Sequence, residues 1–137
     1  MSATKIVTDE DLAELYQRLL PYLNGNALSY STSEQDTGKR WIDGKKIYQK
    51  TVNFGALPNA TAKRTAHGIS NIDKVISIQG FASDSENNSI PIPYVATSDA
   101  STYSILMSRE GSNIRIDAKT NWSTYNAYII LEYTKTS

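Results

Sequence analysis

The 137-residue sequence contains no cysteine, so disulfide scaffolds, zinc–thiolate sites and cysteine nucleophiles are excluded. Its single histidine, His67, has no carboxylates beside it at metal-ligand spacing, and we expect it to form structural hydrogen bonds. The sequence has neither a Gly-x-Ser-x-Gly nucleophile elbow nor a glycine-rich phosphate loop. We therefore expect no enzymatic activity, no catalytic residues, no metal and no cofactor.

The sequence also has no excess of either charge, because 14 Lys and Arg balance 14 Asp and Glu. A nucleic-acid partner would require a surplus of cations to neutralise phosphates, so none is expected. No apolar run approaches the roughly 18 residues needed to span a bilayer, which argues against membrane insertion. The N-terminal stretch has no apolar core typical of a secretory signal, so we expect the protein to stay in the cytoplasm in which it is made.

Residues 1–27 are predicted to form an N-terminal helix and a linker. Thr8 is a suitable N-cap, acidic residues follow it in the first turn, and Pro21 is expected to end the helix. Leu12, Leu15 and Leu19 recur at intervals of three and four, which places them on one apolar stripe. This stripe packs either on its own domain, or on copies of itself or another structure to which it attaches the chain.

Residues 28–137 are predicted to form an antiparallel β-sandwich of jelly-roll-like type. Segments rich in β-branched and aromatic residues alternate with turn-forming clusters at short intervals. The expected strands are 28–33, 39–42, 45–54, 72–82, 90–96, 103–109, 112–118 and 125–134. The fold class is therefore all-β with one preceding helix.

A hairpin is predicted at Asp43-Gly44, a favoured pair for a two-residue type I′ turn. That turn would place Ile42 opposite Lys45. Alternation along the strands then leaves Ile42 and Ile47 facing away from the core, either as ordinary exposed residues or as a subunit contact. The opposite, core-facing side would carry Trp41, Tyr48, Val52 and Phe54.

The last strand is apolar on both faces. Ile129 and Leu131 lie on one face, and Tyr128 and Ile130 lie on the other. A strand of this kind is typically buried on both sides. We therefore predict that the N-terminal helix or a neighbouring chain covers Tyr128 and Ile130.

A possible ligand site precedes this strand, where Asn121, Trp122 and Tyr125 lie in a polar loop. Aromatic rings beside amides and hydroxyls can stack on sugars and bond to their edges. The alternative, which we favour, is that Trp122 closes one end of the sandwich.

Several strings taken together resemble a module common in bacteriophage tail-fibre, head-fibre and minor structural proteins. They are WIDGKKIY at 41–48, TVNFG at 51–55, LPN at 57–59, AHGISNID at 66–73, IPY at 92–94, and Trp122 with YNAYIILEYTKT at 125–136. The resemblance implies a homotrimeric virion component, assembled in the host cytoplasm and often assigned to attachment to the host surface, where a glycan is a possible ligand. It offers no catalytic residues.

The sequence departs from this family at two points. Modules of the family often have a proline soon after the hairpin glycine, where this chain has Lys45-Lys46. A long shaft usually precedes the module, whereas only about 27 residues precede it here. We therefore expect the N-terminal helix to contact other virion proteins.

Overall fold

The computed structural model describes residues 8–23 and 28–136, apart from the side chains of residues 21–23. Helix α1 spans Asp9–Leu23. The Thr8 hydroxyl accepts a hydrogen bond from the Asp11 backbone N–H at 3.1 Å, and the Asp11 carboxylate accepts one from the Thr8 N–H at 3.2 Å. This reciprocal pair is a capping box, which confirms Thr8 as the N-cap. The helix continues for two residues beyond Pro21, so the prediction that Pro21 ends it is wrong. A proline loses its own N–H bond, but the residues after it can still donate.

Eight antiparallel strands form two sheets, which confirms the all-β sandwich preceded by one helix. The first sheet has the order β1-β2-β8-β4-β5 and the second has the order β3-β7-β6. The strands are β1 Gln35–Arg40, β2 Lys46–Ala56, β3 Ala62–Ala66, β4 Ile72–Ser83, β5 Ser89–Ile92, β6 Ile105–Glu110, β7 Asn113–Ala118 and β8 Asn126–Lys135. A single helical turn, α2 Ala100–Tyr103, precedes β6.

The core lies between the two sheets. The five-stranded sheet contributes Val52, Phe54, Ile129 and Leu131, and β7 contributes residues such as Ile114, all of them buried. Strand β8 is the central strand of its sheet, paired with β2 on one side and with β4 on the other. Its core face therefore matches the prediction from alternation, as do Val52 and Phe54 on β2.

The hairpin between β1 and β2 differs from its prediction. Lys45 accepts a hydrogen bond from the Trp41 N–H, and Trp41 accepts one from the Gly44 N–H, both at 2.9 Å. Only Gly44 in this turn has positive φ, at 86°, whereas a type I′ turn requires it at both central residues. The loop therefore has three residues, 42–44, and Trp41 rather than Ile42 lies opposite Lys45.

This change of register separates two residues that were predicted to share a face. Ile42 lies in the turn and is 91% exposed, whereas Ile47 is only 7% exposed. The pairing of Tyr48 with Tyr133 places Ile47 beside Thr134, itself fully buried, on an inner strand. The prediction that one domain leaves Ile47 exposed for a subunit contact is therefore wrong, because the chain covers it.

Other boundaries also differ from the predicted strands. Residues 28–33 are irregular, although the Ser31 carbonyl accepts a bond from the Thr51 N–H at 2.8 Å. Strand β1, Gln35–Arg40, begins four residues before the predicted strand 39–42 and ends two residues before it. Strand β3, Ala62–Ala66, was not predicted, because its sequence AKRTA has little of the β-branched and aromatic enrichment that marks strands.

Candidate functional site

The face of β8 that points away from the core carries an exposed apolar surface. Alternation places Tyr128 and Ile130 on this outer face. Tyr128 lies between Asn53 of β2 and Phe81 of β4, and Ile130 lies between Thr51 and Gln79 in the next row. The second sheet packs on the opposite side, so nothing from that sheet covers these residues.

These side chains line an open depression of about 510 Å³, which we call the outer groove. Its walls are Tyr30, Ser31, Thr32, Thr51, Phe81, Tyr128 and Ile130. The Phe81 and Tyr128 rings stack at 5.9 Å between centroids, and they remain 45% and 41% exposed. Tyr30 on the opposite rim is 68% exposed. An apolar depression of this kind on a sheet face is typical of an interaction surface.

The groove also holds an unsatisfied polar atom. The Thr51 hydroxyl is buried and forms no hydrogen bond with any described residue. Buried polar groups in native proteins nearly always have a partner. The described residues therefore leave one polar atom in the wall of the groove without a partner.

The rim segment that carries Tyr30 is held in place by an ionic cluster. The Glu34 carboxylate accepts a hydrogen bond from the Tyr133 hydroxyl at 2.6 Å and one from the Lys135 ammonium at 2.9 Å. Partial burial works to raise the pKa of Glu34, but the bonds from Tyr133 and Lys135 outweigh it and hold this pKa below its usual range. Burial and the Glu34 carboxylate together raise the pKa of Tyr133. The cluster therefore fixes residues 31–34 against β8.

Beyond the groove, the outer face becomes polar and ion-paired. Lys39 reaches across to Glu132 at 3.1 Å. Asp73 accepts bonds from Lys45 at 2.9 Å, from Lys74 at 3.2 Å and from the Thr134 hydroxyl at 3.1 Å. The Lys45 and Lys74 bonds are the main reason that the pKa of Asp73 falls to about 2. The apolar groove thus ends at a row of charged side chains that pair with one another, which we call the charged belt.

Another exposed apolar surface lies on α1, and we call it the helix stripe. It consists of Leu12, Leu15, Tyr16 and Leu19, which are between 42% and 54% exposed. The predicted interface residues Leu12, Leu15 and Leu19 are therefore brought together on one exposed face. Their role in an interface stays a prediction.

The remaining predicted interface residues divide between three places. Tyr128 and Ile130 lie together in the outer groove, Ile42 lies at the hairpin tip, and Ile47 is buried. Tyr30 and Phe81 were not predicted as members of the groove. The period-2 alternation of β4 could have indicated that Phe81 faces away from the core, but its pairing with Tyr128 depends on which strands are neighbours.

The predicted ligand residues form a packed aromatic corner. The Trp122 ring contacts Tyr94 and Tyr125 edge-on, with centroids at 5.6 and 5.4 Å, and all three rings pack partly buried against the core. The Asn121 side-chain oxygen accepts bonds from the backbone N–H and hydroxyl of Ser123, at 2.9 and 2.6 Å. This arrangement agrees with the interpretation that Trp122 closes one end of the sandwich. Sugar binding by Asn121, Trp122 and Tyr125 stays a prediction.

His67 is 3% exposed and forms structural hydrogen bonds, as predicted. Its Nδ1 accepts a bond from the Ile69 N–H at 3.1 Å, which leaves the proton on Nε2, 3.0 Å from the Gly111 carbonyl. Within residues 8–23 and 28–136, no group of three or more His, Asp or Glu side chains is placed to hold a metal ion. No helix in the described part of the chain is long and apolar enough to cross a membrane.

Comparison with known proteins matches no protein family, no curated protein and no solved structure.

Proposed function

We propose that this protein is a structural component of a bacteriophage virion, a trimeric fibre or appendage module that contacts the host cell surface. The resemblance carried by the strings at 41–48, 66–73 and 125–136 supports the virion assignment. The exposed outer groove and helix stripe support the assembly of several copies.

One observation carries the proposal: the central strand β8 is apolar on both faces, but the described residues of its own chain cover only one of them fully. Ile129 and Leu131 are fully buried on the core side, whereas Tyr128 and Phe81 on the other side stay nearly half exposed. Monomeric proteins seldom leave a contiguous apolar patch at the centre of a sheet, since burying it against a partner is favourable. A neighbouring copy is the partner that a trimer provides.

The mass in solution tests the assembly. At about 10 µM, where weak contacts dissociate, light scattering after size exclusion should give three times the 15.2 kDa of one chain. A second protein that starts at Leu28 assigns the interface: a trimer without α1 would place it on the sandwich, and a monomer would place it on the helix. A well-folded monomeric full chain would contradict the proposed trimer.

A second candidate function is a purely structural decoration or attachment protein with no ligand of its own. The packed corner of Tyr94, Trp122 and Tyr125 favours it, because these rings contact one another and the core. A glycan array and adsorption assays with virions distinguish a protein that binds the host surface from one that has no ligand.

The variants for that comparison follow from the packing. Trp122→Ala would remove a ring that supports the core, so loss of binding in this variant could result from unfolding. Tyr125→Phe removes only a hydroxyl, and Asn121→Ala removes an exposed side chain together with the two bonds that it accepts from Ser123. Glycan binding that both variants weaken, with unchanged thermal stability, would support host contact at this corner. Absence of binding by the unsubstituted protein on the array and on host cells would favour the structural candidate.

A further inference from the structure

Two of the exposed apolar surfaces on the described residues, the helix stripe and the outer groove, are complementary in shape. The helix stripe is convex, and the outer groove is a depression on a sheet face. We propose that α1 of one copy lies in the outer groove of a neighbouring copy. This inference rests on the trimer of the proposed function, and it names the two surfaces that form the contact.

The dimensions of the two surfaces agree. From Leu12 to Leu19 a helix rises by about 10 Å, at 1.5 Å per residue. The groove extends across β2, β8 and β4, and two strand spacings of about 4.8 Å also give about 10 Å. One helix packed on the sheet would therefore cover Thr51, Tyr128, Ile130 and Phe81 together.

The position of the tether indicates which copy supplies the helix. Leu28 lies two residues before Tyr30, so the chain enters the sandwich at the rim of the groove. The five peptide steps from Leu23 to Leu28 can span at most about 17 Å. Although α1 is tethered this close, the helix stripe and the groove of the same chain both stay open. The helix in each groove then belongs to a neighbouring copy. If each of three copies places its α1 in the groove of the next, the contacts form a closed ring of three.

Charge complementarity supports the same contact. Helix α1 carries four acidic residues and one Arg, a net charge of −3. Residues 28–137 hold 12 of the 14 basic and 10 of the 14 acidic residues, a net charge of +2. Opposite net charges on α1 and on the sandwich favour their association.

Thiol cross-linking tests this contact with little background, because the chain has no cysteine. Leu15→Cys places a thiol on the helix stripe, and Tyr128→Cys places one in the groove; both positions are about half exposed. The two singly substituted full-length proteins are mixed, allowed to exchange chains, and treated with a short bismaleimide. We expect cross-linked pairs that contain one chain of each kind. Gln17→Cys, on the opposite side of α1, is the matched control and should give no product with Tyr128→Cys.

The other outcomes contradict the inference in distinguishable ways. Cross-linking of Leu15→Cys with itself alone would show that the helices pack on one another. A doubly substituted chain that links only within itself would show that each groove holds its own helix. A trimer with neither product would overturn the helix–groove contact while leaving the proposed function standing, whereas a monomer would overturn both.

A single charge provides an independent check. Leu15→Asp buries a carboxylate if the helix stripe lies in a groove, so the mass of the full chain should fall threefold. The control Gln17→Asp should leave the mass unchanged. Equal masses for Leu15→Asp and the unsubstituted protein would overturn the inference. Far-ultraviolet circular dichroism confirms that each variant retains its fold.

Discussion

The substitution Tyr133→Phe measures how strongly the ionic cluster fixes the groove rim. It removes a hydroxyl that donates to the Glu34 carboxylate at 2.6 Å and leaves the ring in place. Hydrogen bonds to a charged acceptor contribute about 1.5–3 kcal/mol to stability. Lys135 still pairs with Glu34, and the Glu34 side chain is 31% exposed, so the lower end of this range applies. We expect a loss of about 1.5 kcal/mol in the free energy of unfolding, a factor of roughly ten in the folding equilibrium.

Urea denaturation provides the measurement, with an unchanged m-value as the sign that only stability has changed. A double-mutant cycle with Glu34→Gln isolates the bond, and the coupling energy should be about 1 kcal/mol or more. If Tyr133→Phe were as stable as the unsubstituted protein at pH 7, the cluster would not hold the rim.

The pH dependence gives the reasoning a second test. The pKa of Glu34 is lowered in the folded state, so its contribution is present above the ordinary value of 4.5 and is lost as the pH falls below it. The difference between Tyr133→Phe and the unsubstituted protein should therefore shrink in acid. The pKa of Tyr133 is raised from 10.0, so its contribution is present below pH 10 and is lost as the pH rises above that value. The variant should lack this alkaline loss.

Three further substitutions test the core, the lone histidine and the charged belt. Gly80→Ala would place a β-carbon 2.9 Å from the Tyr128 carbonyl oxygen, and such overpacking should cost about 2–3 kcal/mol in urea denaturation. His67→Ala removes the bond to the Gly111 carbonyl and leaves a cavity, so the melting temperature should fall, with a loss of about 2 kcal/mol. The pKa of Asp73 is lowered to about 2 in the folded state, so this carboxylate stabilises the fold above pH 3.8, and that stabilisation is lost as the pH falls towards 2. Asp73→Asn should therefore reduce the dependence of the free energy of unfolding on pH between about 4 and 2. A variant as stable as the unsubstituted protein in the first two cases, or an unchanged pH dependence in the third, would contradict the corresponding assignment.

The sequence predicted features that depend on local periodicity. Alternation along β8 placed Ile129 and Leu131 in the core, and the spacing of Leu12, Leu15 and Leu19 placed them on one helix face. These predictions hold because side-chain direction follows from the backbone repeat alone. The position of β8 between β2 and β4 depends on long-range pairing, which periodicity does not encode.

The errors have physical causes of the same kind. Asp-Gly fits both a two-residue and a three-residue hairpin, and the observed loop takes positive φ only at Gly44. That difference decides whether Ile42 faces Lys45 or lies in the turn. The groove was missed as a unit because Phe81 meets Tyr128 only through the sheet order, and Tyr30 lies in an irregular segment outside the strands.

The place of β8 in the sheet has a consequence for the order of synthesis. Strands β2 and β4 both leave the ribosome before β8, yet they pair with β8 rather than with each other. Until β8 emerges, the five-stranded sheet remains in two pieces, and two-stranded pieces are marginally stable in water. Tyr128 and Ile130 belong to that last strand, so an incomplete chain has neither a closed sheet nor an outer groove. A released chain that ends at Tyr125 should therefore be digested within β4, whereas the full chain, which includes β8, should resist the protease.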